Sequence, residues 1–224
     1  MADLQPSRRT VLTVSIAALI GGGGAYLLEG STDPETPDCG TSPPVELAAP
    51  MIGNEQVSIP IVSYTDFSCP HCKDHALNVL PKIRDRHLQS EQISYFHHDF
   101  PIPVDKWSRP AASAAREVQR QADDAAFFEY SRKLYQNQDG LSYGVFGELA
   151  NSAGVDGGRV ESAARESRYC ELLNESIKQG LNRGVQGTPT VFVGDEKLTS
   201  PSISEVDDAV QKVRSNGTAS STKS

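Results

Sequence analysis

Cys69-Pro70-His71-Cys72 constrains this chain more than any other stretch. Two cysteines with two residues between them can close a small disulfide or hold a metal. The flanks bear on the choice. Ile59-Pro60-Ile61-Val62-Ser63-Tyr64-Thr65-Asp66-Phe67 is an apolar, β-branched run and reads as a buried strand. Pro70 suits the first turn of a helix, and apolar residues follow at helical spacing up to Leu80. The motif therefore sits at a strand-to-helix junction, with Cys69 at the helix N-terminus. Unpaired N–H groups and the positive end of the helix dipole stabilise an anion there. Cys69 is expected to have a lowered pKa and to be reactive. His71 inside the loop adds a donor that favours the thiolate.

Metal readings are weaker. Residue 73 is lysine, so the Cys-x-x-Cys-His signature of c-type haem attachment is absent. Cys69, Cys72, His71 and His75 could gather around zinc or copper, but no second Cys/His pair at ligand spacing follows. No metal and no other cofactor is expected beyond the cysteine pair itself.

The 224 residues suit one domain with appendages, and 38% hydrophobic content is enough for a core. A net charge of −8 argues against nucleic acid as partner. Four cysteines are too few for a disulfide-rich scaffold.

Residues 1–30 read as an export signal. Ser7-Arg8-Arg9-Thr10-Val11-Leu12 resembles a twin-arginine motif, and the apolar run Val11–Ile20 follows at once. No clean small-x-small cleavage site follows. The stretch from Val11 to Leu28 would be about 27 Å long as a helix, just enough to span a bilayer, although Gly21–Gly24 weaken it. The segment is thus a signal that is removed or a membrane anchor that is kept. Residues 31–50, rich in Pro, Thr, Ser and acid, read as an extended linker.

Beyond them a domain spans residues 51–214. Helix one is expected from about Pro70 to His87, kinked at Pro81. Ile93–Phe100 is the next strand, parallel to the first in a βαβ unit. Residues 104–184 read as all-helical, punctuated by Gly140, Gly154, Gly157 and Gly158. A hairpin follows, Thr190–Val193 and Glu196–Thr199, and then a helix from Pro201 to about Arg214. Residues 215–224 read as a disordered tail. Asn216-Gly217-Thr218 and Asn174-Glu175-Ser176 match the glycosylation sequon, a pattern that chance supplies often.

The motif resembles thioredoxin-fold oxidoreductases, and Pro-His between the cysteines is the dipeptide of DsbA-type thiol oxidases. Phe67–Cys72, His98-Asp99-Phe100-Pro101, Phe127-Phe128-Glu129-Tyr130 and Gly187-Thr188-Pro189-Thr190-Val191-Phe192-Val193 fall in the family's order. The resemblance implies an α/β class: a thioredoxin fold with an all-helical insertion between its βαβ unit and a C-terminal ββα unit. It implies an extracytoplasmic thiol–disulfide oxidoreductase that introduces disulfides into exported proteins. A substrate thiolate would attack Cys69 and displace Cys72. A reductase or isomerase of the same fold is an alternative, and a non-catalytic metal-binding or chaperone module is another. The implied partners are exported protein thiols and a membrane reoxidant; with no dimerisation module apparent, a monomer is expected. The resemblance also implies a cis bond before Pro189 and a Thr188 backbone free to pair with substrate. It departs at Ser63, where the family often carries a buried acid that helps proton transfer. Asp66 is acidic but stands three residues before Cys69.

Cys39 and Cys170 lie outside these motifs. An exported protein in an oxidising place rarely keeps two free thiols, so a structural disulfide between them is expected. Cys170 as a small buried hydrophobe, or Cys39 as an exposed thiol joined elsewhere, are the competing readings. His97 and His98 read as satisfied surface or edge histidines, and Trp107 as a packing residue.

Overall fold

In the computed structural model the described residues are Cys39, 45–54, Gln56, 59–89, 92–102, 105–198 and 201–221. The expected signal or anchor, residues 1–30, and most of the expected linker lie outside them. In chain order the elements are β1 (Met51–Ile52), β2 (Ile59–Thr65), α1 (Pro70–Asp74), α2 (Leu80–His87) and β3 (Ile93–Asp99). Then come α3 (Ser108–Gln121), α4 (Asp124–Gln136), α5 (Tyr143–Asn151), α6 (Gly157–Arg165) and α7 (Cys170–Asn182). The chain closes with β4 (Thr190–Val193), β5 (Glu196–Lys197) and α8 (Ile203–Ser221). This is the mixed α/β thioredoxin fold with its helical insertion, as expected.

The sheet order is β1-β3-β2-β4-β5. β2 and β3 run parallel from Ile59↔Ile93 to Thr65↔Asp99, and β4 lies antiparallel on the other side of β2. β2 is thus the innermost strand, buried along nearly its whole length, which is why it reads as a continuous apolar run. One face, carrying Ile61, Tyr95, Val191 and Val193, packs on Ile83 of α2 and on Val206 and Val210 of α8. The other face, carrying Val62, Tyr64 and Phe192, packs on Ile177 of α7. Gly180 brings α7 close: a Cβ there would lie 2.7 Å from the Phe100 ring and 3.0 Å from that of Tyr64.

The kink expected at Pro81 takes a definite form. A π turn, His75–Val79, joins α1 to α2. Pro81 has no N–H for the Leu77 carbonyl, and its ring crowds that carbonyl, so the turn before it widens. Three insertion helices start on side-chain caps: Asp123 on Ala126 N–H, Ser142 on Val145 N–H and Asp156 on Arg159 N–H.

Four expectations change. β1 was not foreseen, because two residues carry no periodicity; it pairs antiparallel with β3. β3 is therefore flanked on both sides, so His97 is not an edge residue. It is 4% exposed, and its Nε2 lies 3.1 Å from Asp99 Oδ1. Asp99 in turn accepts from Arg116 Nε at 2.6 Å. Burial opposes charge on Asp99, but Arg116 and His97 outweigh it and hold the carboxyl well below the usual range. Val45–Pro50, expected as linker, packs against the domain. Ala48 O accepts from Arg116 Nη1 and Gln119 Nε2, and Met51 N–H donates to Asp124. Finally, α8 continues to Ser221, through much of the tail expected to be disordered. Helical bonds add at low cost to a helix already anchored by packing, even through weak formers.

Candidate functional site

β2 ends at Thr65, and the chain turns over Asp66-Phe67-Ser68 into α1. Pro70 takes the first helical turn and Cys69 is the N-cap, in extended conformation. Cys69 and Cys72 are both thiols here. Cys72 is fully buried, whereas Cys69 retains 6% exposure. Any partner therefore meets Cys69 first. Both sulfurs belong to the apolar cluster formed by the insertion helices, with Phe67. Gln138, after α4, reaches the loop and donates to the carbonyls of Phe67 at 2.8 Å and Cys69 at 3.0 Å. Sequence reasoning missed this tie, since a lone glutamine in a polar loop carries no pattern.

The two thiols differ sharply. The Cys69 pKa falls from 9.0 to about 5. The largest cause is a hydrogen bond from the Cys72 thiol, which outweighs burial; the Thr188 hydroxyl and the N–H groups of Cys72 and His71 add to it. Thr188 Oγ1 is buried with no partner at ordinary hydrogen-bond geometry, so it is available to the thiolate. Cys72 moves the other way, well above the usual thiol range, because burial and the neighbouring Cys69 both disfavour its anion. Residue 71 acts on Cys69 through its backbone, while its imidazole is exposed. That differs from the expected side-chain donor, because a helix N-terminus offers its amides first.

The Thr188–Pro189 bond is cis. In the thiol form Cys69 Sγ donates to Thr188 O at 3.3 Å. A groove of about 560 Å³ runs beside the pair, lined by His71, Asn78, Lys82, Thr188, Pro189 and Ile203. Asp66 lies beneath the turn, 1% exposed. Its N–H donates to Cys72 Sγ at 3.4 Å, and its carboxyl accepts from Ser68 N–H at 2.8 Å and Ile102 N–H at 3.0 Å. Burial raises the Asp66 pKa to about 6 against these bonds. Ser63, at the position of the family's acid, is fully buried, and its hydroxyl lacks a partner.

Cys39 and Cys170 are bonded to each other, with Cα atoms 5.4 Å apart. Trp107 packs edge-on against Tyr143 and Phe146. Among the described residues no group of three or more metal-ligating side chains gathers, and no helix is long and apolar enough to cross a membrane.

The chain is 24% identical over 172 residues to disulfide bond formation protein D of Bacillus subtilis, covering 73% of this chain and 76% of that one. It is 23% identical to a putative protein-disulfide oxidoreductase of Rickettsia typhi, covering 76% and 63%. Among solved structures, BdbD of Bacillus subtilis in its oxidised form superposes with a TM-score of 0.68 at 22% identity, over 74% of this chain and 92% of that one. Chlamydia trachomatis DsbA superposes with a TM-score of 0.67 at 22% identity, over 77% and 97%. A thioredoxin family model matches residues 46–212, most of the chain, and with these relatives it shows that the chain belongs to the thioredoxin family, as a DsbA-like protein thiol–disulfide oxidoreductase.

Proposed function

We propose that this oxidoreductase works as a dithiol oxidase, passing a disulfide from Cys69–Cys72 to exported proteins outside the cytoplasm. The observation that carries the reading is the split between the two thiols: Cys69 titrates near 5, and Cys72 well above the usual range. A thiolate that is stable at neutral pH favours the dithiol form, so the disulfide form readily gives its disulfide away. Each pKa unit is about 1.4 kcal/mol, or about 30 mV for a two-electron couple.

In this reading a substrate thiolate attacks Cys69 Sγ, forming a mixed disulfide, and Cys72 Sγ leaves. A second substrate thiolate then attacks the substrate sulfur of the mixed disulfide, and Cys69 leaves as its stable thiolate. Pro70 sets the first turn of the helix that holds Cys69, and His71 lends its amide. The Thr188 carbonyl offers substrate backbone a partner beside the sulfur, and Pro189, with no N–H, keeps a donor away from it. The acting pair needs no cofactor, but the dithiol must be reoxidised, and a membrane partner suits a protein carried out by a twin-arginine signal in residues 1–30. Whether that segment is cleaved or kept as an anchor, the domain works as a monomer.

The test is the redox potential of Cys69–Cys72 in glutathione buffers, paired with oxidation of a reduced, unfolded substrate protein. A potential above about −180 mV with rapid substrate oxidation supports the oxidase. A potential near about −270 mV would assign the protein to the reductases instead.

A further inference from the structure

Behind the active-site helix lies a cavity of about 400 Å³. Thr65, His75, Tyr95, His97, Ser131 and Tyr135 form its polar inner wall. Arg84 and Glu129 stand among its other lining residues. Two of the inner groups, Ser131 Oγ and Tyr135 OH, are buried and make no hydrogen bond of ordinary geometry. Their residues are 6% and 2% exposed. A polar hollow of this size, with several groups able to hold it, suits water. The π turn His75–Val79 forms part of the same wall, and π turns occur often where a helix serves a function.

Cys72 does not itself line the cavity, but Tyr135 does, and Tyr135 belongs to the core cluster that holds Cys72. The Tyr135 ring sits 5.0 Å from that of Phe67. Burial raises the pKa of the Tyr135 hydroxyl well above the usual range, negative charge on Cys72 adds to this, and the nearby Thr65 hydroxyl opposes it. On the other wall Tyr95 OH meets His75 Nε2 at 3.3 Å. Burial pushes the His75 pKa down to about 4, with His97 adding to it and a backbone hydrogen bond at Pro201 and the charge of Asp74 opposing it.

The chemistry requires a proton at this place. When a thiolate attacks Cys69 Sγ, a new S–S bond forms to the substrate and the bond to Cys72 Sγ breaks. The substrate sulfur is oxidised, and Cys72 Sγ leaves with the electron pair. Buried as it is, Cys72 must then take one proton from solvent, and it must return that proton when the disulfide reforms. Ser63 offers no carboxyl for the task. Asp66 does not line the cavity, and both its oxygens are held by backbone N–H groups.

We propose that this cavity is the proton path to Cys72, with the Tyr135 hydroxyl relaying between water held at Ser131 and the leaving sulfur. The proposal rests on Cys69–Cys72 being the redox pair. Tyr135 is a positioning and relay residue here.

The experiment measures stopped-flow reduction of the full chain's disulfide by dithiothreitol, in water and in deuterium oxide, for wild type, Tyr135→Phe, Ser131→Val and Asp66→Asn. Tyr135→Phe removes one oxygen and keeps the ring; Ser131→Val fills the hollow with an apolar group. Both are expected to react three- to tenfold more slowly and to show a larger solvent isotope effect. Cys69 titration and redox potential should stay at wild-type values, which a merely structural defect would not allow. Wild-type rates in Tyr135→Phe would overturn the path, as would slowing confined to Asp66→Asn. A wild-type protein that does not exchange at Cys69–Cys72 would overturn the reading of the pair itself.

Discussion

The Thr188 carbonyl lies 3.3 Å from Cys69 Sγ, across 119 residues of chain. β4 carries residue 190 beside Tyr64 of β2, so strand register puts the cis-proline turn against the cysteine turn. Pro189→Ala introduces an N–H at this contact. We expect mixed disulfides with substrate to persist longer, read by gel under non-reducing conditions. Wild-type turnover in the variant would speak against it.

Cys69, the less buried of the two, and the fully buried Cys72 should behave differently when replaced. Cys69→Ala should abolish substrate oxidation. Cys72→Ala should trap mixed disulfides through Cys69, identifiable by peptide mapping. Oxidase activity remaining in Cys69→Ala would reverse the assignment.

Cys69 titrates near 5 rather than 9.0 in the folded dithiol form. A depressed pKa stabilises the folded state fully above the unfolded value, near 9.0, and the gain is lost as pH falls toward about 5. The disulfide form has no such thiol. The stability of the dithiol form relative to the disulfide form should therefore decline as pH drops across that window. Urea unfolding of both forms between pH 9 and 5 gives the difference directly, and a pH-independent gap would refute the titration.

Arg116 and Asp99 form a buried ion pair, with side chains 3% and 1% exposed. Arg116→Met leaves the Asp99 carboxylate with His97 and takes away one of the two donors to Ala48 O. Removing one partner of such a pair costs about 3–5 kcal/mol. Denaturant midpoints check this, and a loss under about 1 kcal/mol would mean that the residues left behind compensate.

Cys39–Cys170 closes a loop with a sequence separation of 131. Chain entropy gives about 4–5 kcal/mol for a loop this long, an upper figure because denatured chains are already compact. Replacing both cysteines by serine should cost about 2–5 kcal/mol while sparing the chemistry at Cys69. Recovery of two free thiols from the non-reduced protein, blocked under denaturing conditions, would remove the basis of the prediction.

Local chemistry made much of this protein readable in sequence. β2 is a continuous buried run, Pro70 and the cysteines stand at a strand-to-helix junction, and the insertion helices carry their own caps and glycine stops. Pro81 marked the irregularity in the first helix. These features depend on residues a few positions apart, so the chain states them directly. What sequence did not reveal depends on distant segments meeting. β1 exists because β3 offers it an edge. His97 reads as a surface histidine until β1 and β2 flank its strand and Asp99 and Arg116 charge its surroundings. Thr188, from the far end of the chain, adds to the lowering of the Cys69 pKa that Cys72 and the helix N-terminus begin locally, and the fate of Asp66 depends on how deeply the turn sinks under the insertion. Burial and long-range pairing set these energies, and neither is a property of local sequence.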